Sequence, residues 1–211
     1  NKKILTLWDG NHLDFTFKNE INKAKYIGRK ANNDICKYQL KKIKQNYFST
    51  IYKINRKEKI WEIILKDKKK YYCKALIITC PYPQLKKLAS KYLDKKILNL
   101  RVKMQPNITV MIAIKNKKEL PISSIKFNDD ILAWAANENS KDRFKSKLNL
   151  WTLQATLKWS ISKINKYKND KTITNQLISR FIKLTGFEKS KIIYKKIMAG
   201  NILIIMKKHP F

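Results

Sequence analysis

Glycine is scarce in this 211-residue chain, with four residues at Gly10, Gly28, Gly186 and Gly200. Loops that cradle phosphate through backbone amides need closely spaced glycines, and no GxGxxG, Walker loop or Gly-x-Ser-x-Gly elbow is present. Histidine is scarcer still, with His12 and His209 near opposite ends. The odd set of Cys36, Cys73 and Cys80 contains no CxxC, so no zinc-type ligand set is predicted. These thiols read as reduced and partly buried in a cytoplasmic protein. With 15 acidic residues there is no paired-carboxylate site, and no Ser or Cys has a base placed to activate it. The longest apolar runs, Ala75–Thr79 and Ile108–Ile114, have strand length, far below the roughly 20 residues of a membrane-spanning helix. The chain opens at Asn1 without a charged-then-apolar leader and stops at Phe211 after an apolar run, which reads as a piece of a longer polypeptide.

What is abundant is lysine. The formal charge is +33, yet only five of the 48 basic residues are arginine, the residue whose planar fork suits phosphate and base edges. Asn and Ile are plentiful too, and these three residues share A/T-rich codons, so base-composition drift enriches them together. Lysine is spread from Lys2 to Lys208, and the runs Lys68–Lys70 and Lys117–Lys118 fall in predicted turns. A functional basic patch is local, so no specific nucleic-acid partner is expected, only weak, salt-sensitive adhesion to polyanions. The 44% apolar content is enough for one large core or two small ones.

Periodicity organises the chain into two styles. A short apolar stretch, Ile4–Trp8, precedes Tyr26-Ile27-Gly28, and the stripe Cys36, Leu40, Ile43, Tyr47 predicts a helix over about 33–45. Period two then predicts strands over Phe48–Ile54 and Ile60–Leu65, and a third starting at Tyr71–Cys73. The continuously apolar Ala75–Thr79 predicts a strand buried on both faces, as in a parallel sheet, stopped by Cys80-Pro81-Tyr82-Pro83. A helix over Gln84–Leu93 follows. From Met104 onward, strands are expected at Asn107–Ile114, Ile131–Ala136 and Leu150–Ala155, forming a mostly antiparallel sheet. A helix at Ile173–Leu184, ended by Gly186, packs on it, and strands at Ile192–Ile197 and Ile202–Met206 finish the chain. Trp61, Trp134, Trp151 and Trp159 lie in or beside strands. The plain reading is core filling; the sharper one has Trp134 and Trp151 line a flat apolar cavity.

Several stretches together resemble a family. Tyr26-Ile-Gly28, the helix, Phe48–Ile54, Trp61 and Ala75-Leu-Ile-Ile-Thr-Cys-Pro81-Tyr-Pro-Gln84-Leu are similar to the central segment of flavin-containing amine oxidases, especially bacterial renalase-like NAD/FAD-dependent oxidoreductases. Gln105-Pro106-Asn107, Ala133-Trp134-Ala-Ala-Asn137-x-x-Ser140-Lys141-x-Arg143 and Trp151-x-Leu-Gln-Ala155-x-x-x-Trp159-Ser160 are similar to that subgroup's substrate domain. The resemblance spans about residues 26–199. It implies an α/β (α+β) fold with a partial FAD/NAD(P)-binding domain carrying a β-meander, plus an antiparallel-sheet substrate domain. The implied division is 1–25 and 96–211 for the substrate domain, with 26–95 as the central part of the FAD domain.

The implied cofactor is FAD, with an NAD(P)-type substrate as one option, and the implied activity is hydride transfer from an amine or reduced nicotinamide to flavin. Carried onto this chain, the resemblance places Ile51 at the strand whose backbone meets the FAD adenine. Thr79, Cys80 and Pro81 come to the corner beside the cofactor. Asn107, Met111, Trp134 and Trp151 come to a flavin-side cavity for a small-molecule substrate. No catalytic acid or base is expected from this chain. The family's N-terminal dinucleotide fingerprint and C-terminal glycine-rich flavin segment are not in it, and a His-Arg-Trp stretch near Ala199 is replaced by Tyr194-Lys195-Lys196. The competing reading is a basic, non-enzymatic module binding nucleic acid or acidic partners.

Overall fold

A computed structural model describes residues 4–20, 24–100, 102–115 and 121–204. In chain order the elements are β1 (Leu5–Leu7), β2 (His12–Leu13), β3 (Tyr26–Gly28), α1 (Asp34–Gln39), β4 (Ile51–Lys57), β5 (Ile60–Leu65), β6 (Lys70–Cys73), α2 (Tyr82–Ala89) and α3 (Lys95–Leu98). They continue with β7 (Lys103–Ile114), β8 (Ser124–Lys126), β9 (Leu132–Asn137), β10 (Asn149–Ala155), α4 (Leu157–Lys163), α5 (Lys171–Thr185) and β11 (Ile192–Ile204). The chain forms two compact units, one built from residues up to Lys41 with Gln105–Ile202, the other on Lys42–Met104.

The first unit holds a six-stranded sheet in the order β11-β7-β10-β9-β8-β2, in which β7, β10, β9 and β8 are antiparallel neighbours and β2 runs parallel to β8. Strand β10 alternates between buried and half-buried residues along its whole length, which is what a sheet covered on one face requires. Trp151, Leu153 and Ala155 point to the covered face, with Ile108, Val110 and Ile112 of β7 beside them. Helix α5 lies over that face through Ile173, Leu177, Ile178 and Phe181. Asp170 caps its start by accepting from the Thr172 amide, and Gly186 ends it at φ 74°, a left-handed conformation that costs glycine nothing. Arg180 on α5 forms an ion pair with the almost fully buried Asp129, whose side chain also accepts from the Ile131 and Leu132 amides. Burial alone would raise the Asp129 pKa; the Arg180 guanidinium and the two amides outweigh it and hold the carboxyl below its ordinary range.

The second unit is the antiparallel meander β4-β5-β6, backed by α2 against Ile54 of β4. The hydroxyl of Tyr92, in the 3-10 turn after α2, accepts from the Arg56 amide at 2.9 Å, and its ring meets Trp61 edge-on. The Tyr82 hydroxyl reaches the carbonyls of Ile97 and Leu98 at 2.9 Å, fixing the start of α2 to α3.

Four expectations are corrected. Residues 75–79 belong to no strand, and Ile77 is 89% exposed. Apolar, β-branched composition favours a strand, yet a strand exists only when hydrogen-bonded to another, and no described residue pairs with this run. Helix α1 stops at Gln39, and Leu40, Ile43 and Tyr47 are exposed. Lys37, Lys41 and Lys44 repel at helical spacing, and six residues are too few to persist without packing. The strand expected from Phe48 begins at Ile51, because Phe48 has φ 55° and points into solvent. The two terminal strands are one, β11, without a turn between; positions 205 and 206 lie outside the described residues.

The boundaries also differ from those expected at 25/26 and 95/96. Tyr26–Gly28 pairs with Leu5–Leu7, and Arg143 donates to the Gly28 carbonyl and the Asn32 side chain, so residues up to 41 stay with the first unit. A Cβ at Gly28 would sit 1.9 Å from the Ala31 carbonyl oxygen, which makes this close turn specific to glycine. Cys36 is exposed and Cys73 and Cys80 are half-buried; all three are free.

Two outcomes test this fold. Trp151→Ala should cost about 3–5 kcal/mol in urea unfolding. Trp151→Phe should cost much less, about 1–2 kcal/mol, because the buried indole N–H has no hydrogen-bond partner among the described residues to lose. Glu20 is held to a pKa of about 2, first by hydrogen bonds from Lys126 and Lys25. Its folded pKa lies below the ordinary 4.5, so its contribution is complete above that value and is lost as pH falls towards 2. Melting profiles of Glu20→Gln and the parent chain should differ near neutrality and converge at the acid end.

Candidate functional site

The second unit holds a cleft of about 800 Å³. One wall is the start of β4 and the residues before it, Thr50, Ile51, Tyr52 and Ile54. The other is the run after β6, with Leu76, Ile78, Thr79 and Cys80. Helix α2 closes the end through Gln84, Lys87 and Leu88, and Lys66 stands just beyond β5. Ile54, 1% exposed, is the floor.

Local chemistry explains this shape. Pro81 caps α2 in an extended conformation (φ −56°, ψ 150°), its carbonyl accepts from Gln84 and Leu85, and Pro83 sits in the first turn, where no amide partner is needed. The chain therefore enters the helix from an extended direction and keeps 75–80 facing β4. Across from it, the Lys66 amide donates to the Thr50 carbonyl at 2.9 Å and extends the β4–β5 ladder to the cleft's edge.

Three of the four expected cofactor residues thus meet. Ile51, Thr79 and Cys80 line one cleft although up to 29 positions separate them. Pro81 does not line it; as the cap of α2 it fixes where the wall ends. Expectations missed Gln84, Lys66 and Lys87. Each lysine sits in a chain where lysine is everywhere, so nothing in its sequence context singles it out.

The substrate-side set divides. Met111 stands opposite Thr152, and Thr152 opposite Ala136; one step along, Thr109, Gln154 and Trp134 form a second row. Asn107 joins this face, since its side-chain oxygen accepts from Thr109 Oγ1 at 2.8 Å. Asn107, Met111 and Trp134 therefore share the face of the sheet away from α5, where each is half-buried. Trp151 is on the opposite face, 1% exposed, 5.2 Å from Phe181 and 5.9 Å from Phe187. Strand alternation makes the separation unavoidable, because Trp151 pairs with Ile112 and not with Met111. Trp151 is a core residue, and the cavity wall expected from Trp134 and Trp151 together is not formed.

The N-terminal segment covers one end of that open face. Trp8 meets Trp134 edge-on at 6.4 Å, and its indole N–H donates to Ser140 at 2.9 Å. His12 is 8% exposed and bonds through both nitrogens, at 2.8 Å to Ser124 Oγ and at 2.9 Å to the Trp8 carbonyl. A carbonyl only accepts, so Nε2 carries the proton and Nδ1 accepts from Ser124. Ser124 is 1% exposed, which makes the pair a structural clasp and not a nucleophile with its base. Lys141 lies 4.9 Å from the centre of the Trp8 ring and donates to Glu138 at 2.7 Å; Glu138 also accepts from Thr152. Among the described residues no cluster of His, Cys, Asp or Glu could hold a metal ion, and no helix is long and apolar enough to cross a membrane.

No protein-family model matches the chain, and no curated protein matches its sequence. Solved structures match its fold. A structure described as a putative protoporphyrinogen oxidase from Exiguobacterium sp. 255-15 superposes with a TM-score of 0.61 at 11% identity, over 82% of this chain and 39% of that one. A putrescine oxidase redesigned in its cofactor binding gives 0.59 at 6% identity, over 71% of this chain and 33% of that one. An oxidoreductase from Methanosarcina mazei gives 0.50 at 10%, over 71% and 36%. The fold is thus a mixed α/β architecture with several sheets, of the kind found in these oxidases, and the chain spans well under half the length of each.

The exposed placement of 75–79 has a direct check. Ile77→Asn should leave urea stability within about 0.5 kcal/mol, whereas Ile54→Ala at the cleft floor should cost about 2–4 kcal/mol.

Proposed function

We propose that this chain is the central part of an FAD-dependent oxidoreductase of the amine oxidase/renalase kind, oxidising an amine or a reduced nicotinamide-type substrate. One observation carries the reading. Ile51, Thr79 and Cys80, singled out by family resemblance alone, come together in a single cleft. The cleft suits the nucleotide part of FAD. Its walls are largely apolar, and the backbone amides and carbonyls of 75–79 have no backbone partner among the described residues, leaving hydrogen-bonding capacity for a heterocycle's polar edge.

When bound, the flavin supplies the hydride-accepting chemistry, which accords with a chain poor in acids, bases and nucleophiles. This chain's own residues bind and orient. Ile51, Ile54 and Ile78 offer apolar surface, and Thr50 and Thr79 offer hydroxyls at its edges. On the sheet of the first unit, Trp134, Met111, Thr109 and Asn107 provide a half-buried surface against which a substrate's donor carbon is held away from water. The free thiols support a cytoplasmic setting.

The test is spectroscopic. Expressed together with the sequence encoded on either side, the protein should copurify with, or take up, FAD and show the flavin absorbance bands. A colourless protein that gains no bound absorbance on adding FAD would overturn the proposal.

A further inference from the structure

We propose that Lys66 and Lys87 make the cleft of the second unit selective for a phosphorylated ligand, a nucleotide whose heterocycle lies on the apolar wall and whose phosphates meet the two ammonium groups. This inference rests on the cofactor reading and adds to it the residues that discriminate by charge. Lys66 comes from the sheet side and Lys87 from α2, and both line the same cleft. No carboxylate lines it. Lys69 pairs with Asp67 and Lys70 with Glu62, whereas Lys66 and Lys87 have no salt bridge among the described residues. Asp67, next in sequence to Lys66, pairs with Lys69, with its ammonium at 3.2 Å and its amide at 3.2 Å.

Position makes the pair more than part of the lysine background. Two uncompensated cations over an apolar wall favour a ligand with an anionic end and a flat uncharged end, and disfavour a cationic one. The Lys66 backbone is anchored by its bond to Thr50, so its charge is presented from a fixed ladder and not from a loose loop. Lys87 is in the last turn of α2, a helix whose start is pinned to α3 by Tyr82.

The experiment is calorimetric titration of the whole chain with ADP, adenosine and inorganic pyrophosphate at two salt concentrations. The same titrations are made on Lys66→Gln/Lys87→Gln and on a control, Lys57→Gln/Lys59→Gln, altered on the β4–β5 turn away from the cleft. ADP should bind about tenfold more tightly than adenosine and more tightly than pyrophosphate, with affinity falling as salt rises. The cleft variant should bring ADP down to the level of adenosine while leaving adenosine unchanged, and the control should behave as the parent. Equal binding of ADP and adenosine by the parent chain would overturn the charge selectivity and leave the nucleotide reading standing. Pyrophosphate binding as tightly as ADP, or equal losses in the two double variants, would reduce the effect to general polyanion adhesion and overturn the inference. Failure of both ADP and adenosine to bind would overturn this inference through the cofactor reading on which it rests, and circular dichroism of each variant separates loss of binding from loss of fold.

Discussion

The packing of Trp151, Phe181 and Phe187 between α5 and the six-stranded sheet is the constraint on which the first unit depends. Three aromatic side chains removed from water contribute about 1.5–3 kcal/mol each, more than any exposed ion pair in the chain offers. Once that cluster decides which face of β10 is inside, alternation settles the rest. Thr152 and Gln154 turn away, and Met111 and Trp134 follow by register. The make-up of the opposite face is thus the residue of a packing decision made on this one. The His12–Ser124 and Trp8–Lys141–Glu138 contacts then close one end of it, tying a segment more than 100 positions away in sequence to β8 and β9.

Much of this was legible in the residues. The alternation in Leu150–Ala155, the i, i+4 stripe of α5 and the glycine that ends it are local signals, and each element appears within a few positions of where they put it. The fold class and the meeting of Ile51 with Thr79 and Cys80 were accessible through resemblance. What failed depended on partners. Residues 75–79 have the composition of a buried strand but pair with no strand among the described residues, and the stripe of Cys36, Leu40 and Ile43 is exposed, so lysine repulsion weighs on where α1 ends. Trp134 and Trp151 look alike as tryptophans on strands; only the register between β7, β9 and β10 reveals that they face opposite ways. Strand β8 and helix α4, too short to show a period, were not anticipated.

The second unit shows a different balance. Its polar sheet face is organised by Glu62, which accepts from Asn55 at 2.8 Å and Tyr72 at 3.3 Å and pairs with Lys70. The Asn55 hydrogen bond, with help from Lys70, holds this carboxyl below its ordinary pKa despite the opposing effect of burial. Acidic residues are few, and the meander spends one of them stitching three strands together. The cleft on the helix side is left without a negative charge as a result. A shortage that looks like mere composition in the sequence becomes a directional field in three dimensions.

Strand β11 illustrates a last effect of that composition. It ends the six-stranded sheet, with Ile193, Tyr194 and Met198 all exposed along it. Among the described residues no strand pairs with its outer side, and an apolar border strand of 13 residues is in general a template for another molecule's strand. Lys195 and Lys196 interrupt it in succession, one on each side of the pleat, so any incoming copy meets like charge whichever side it approaches. Charge placed in this way on an outer strand works against strand-to-strand association between molecules.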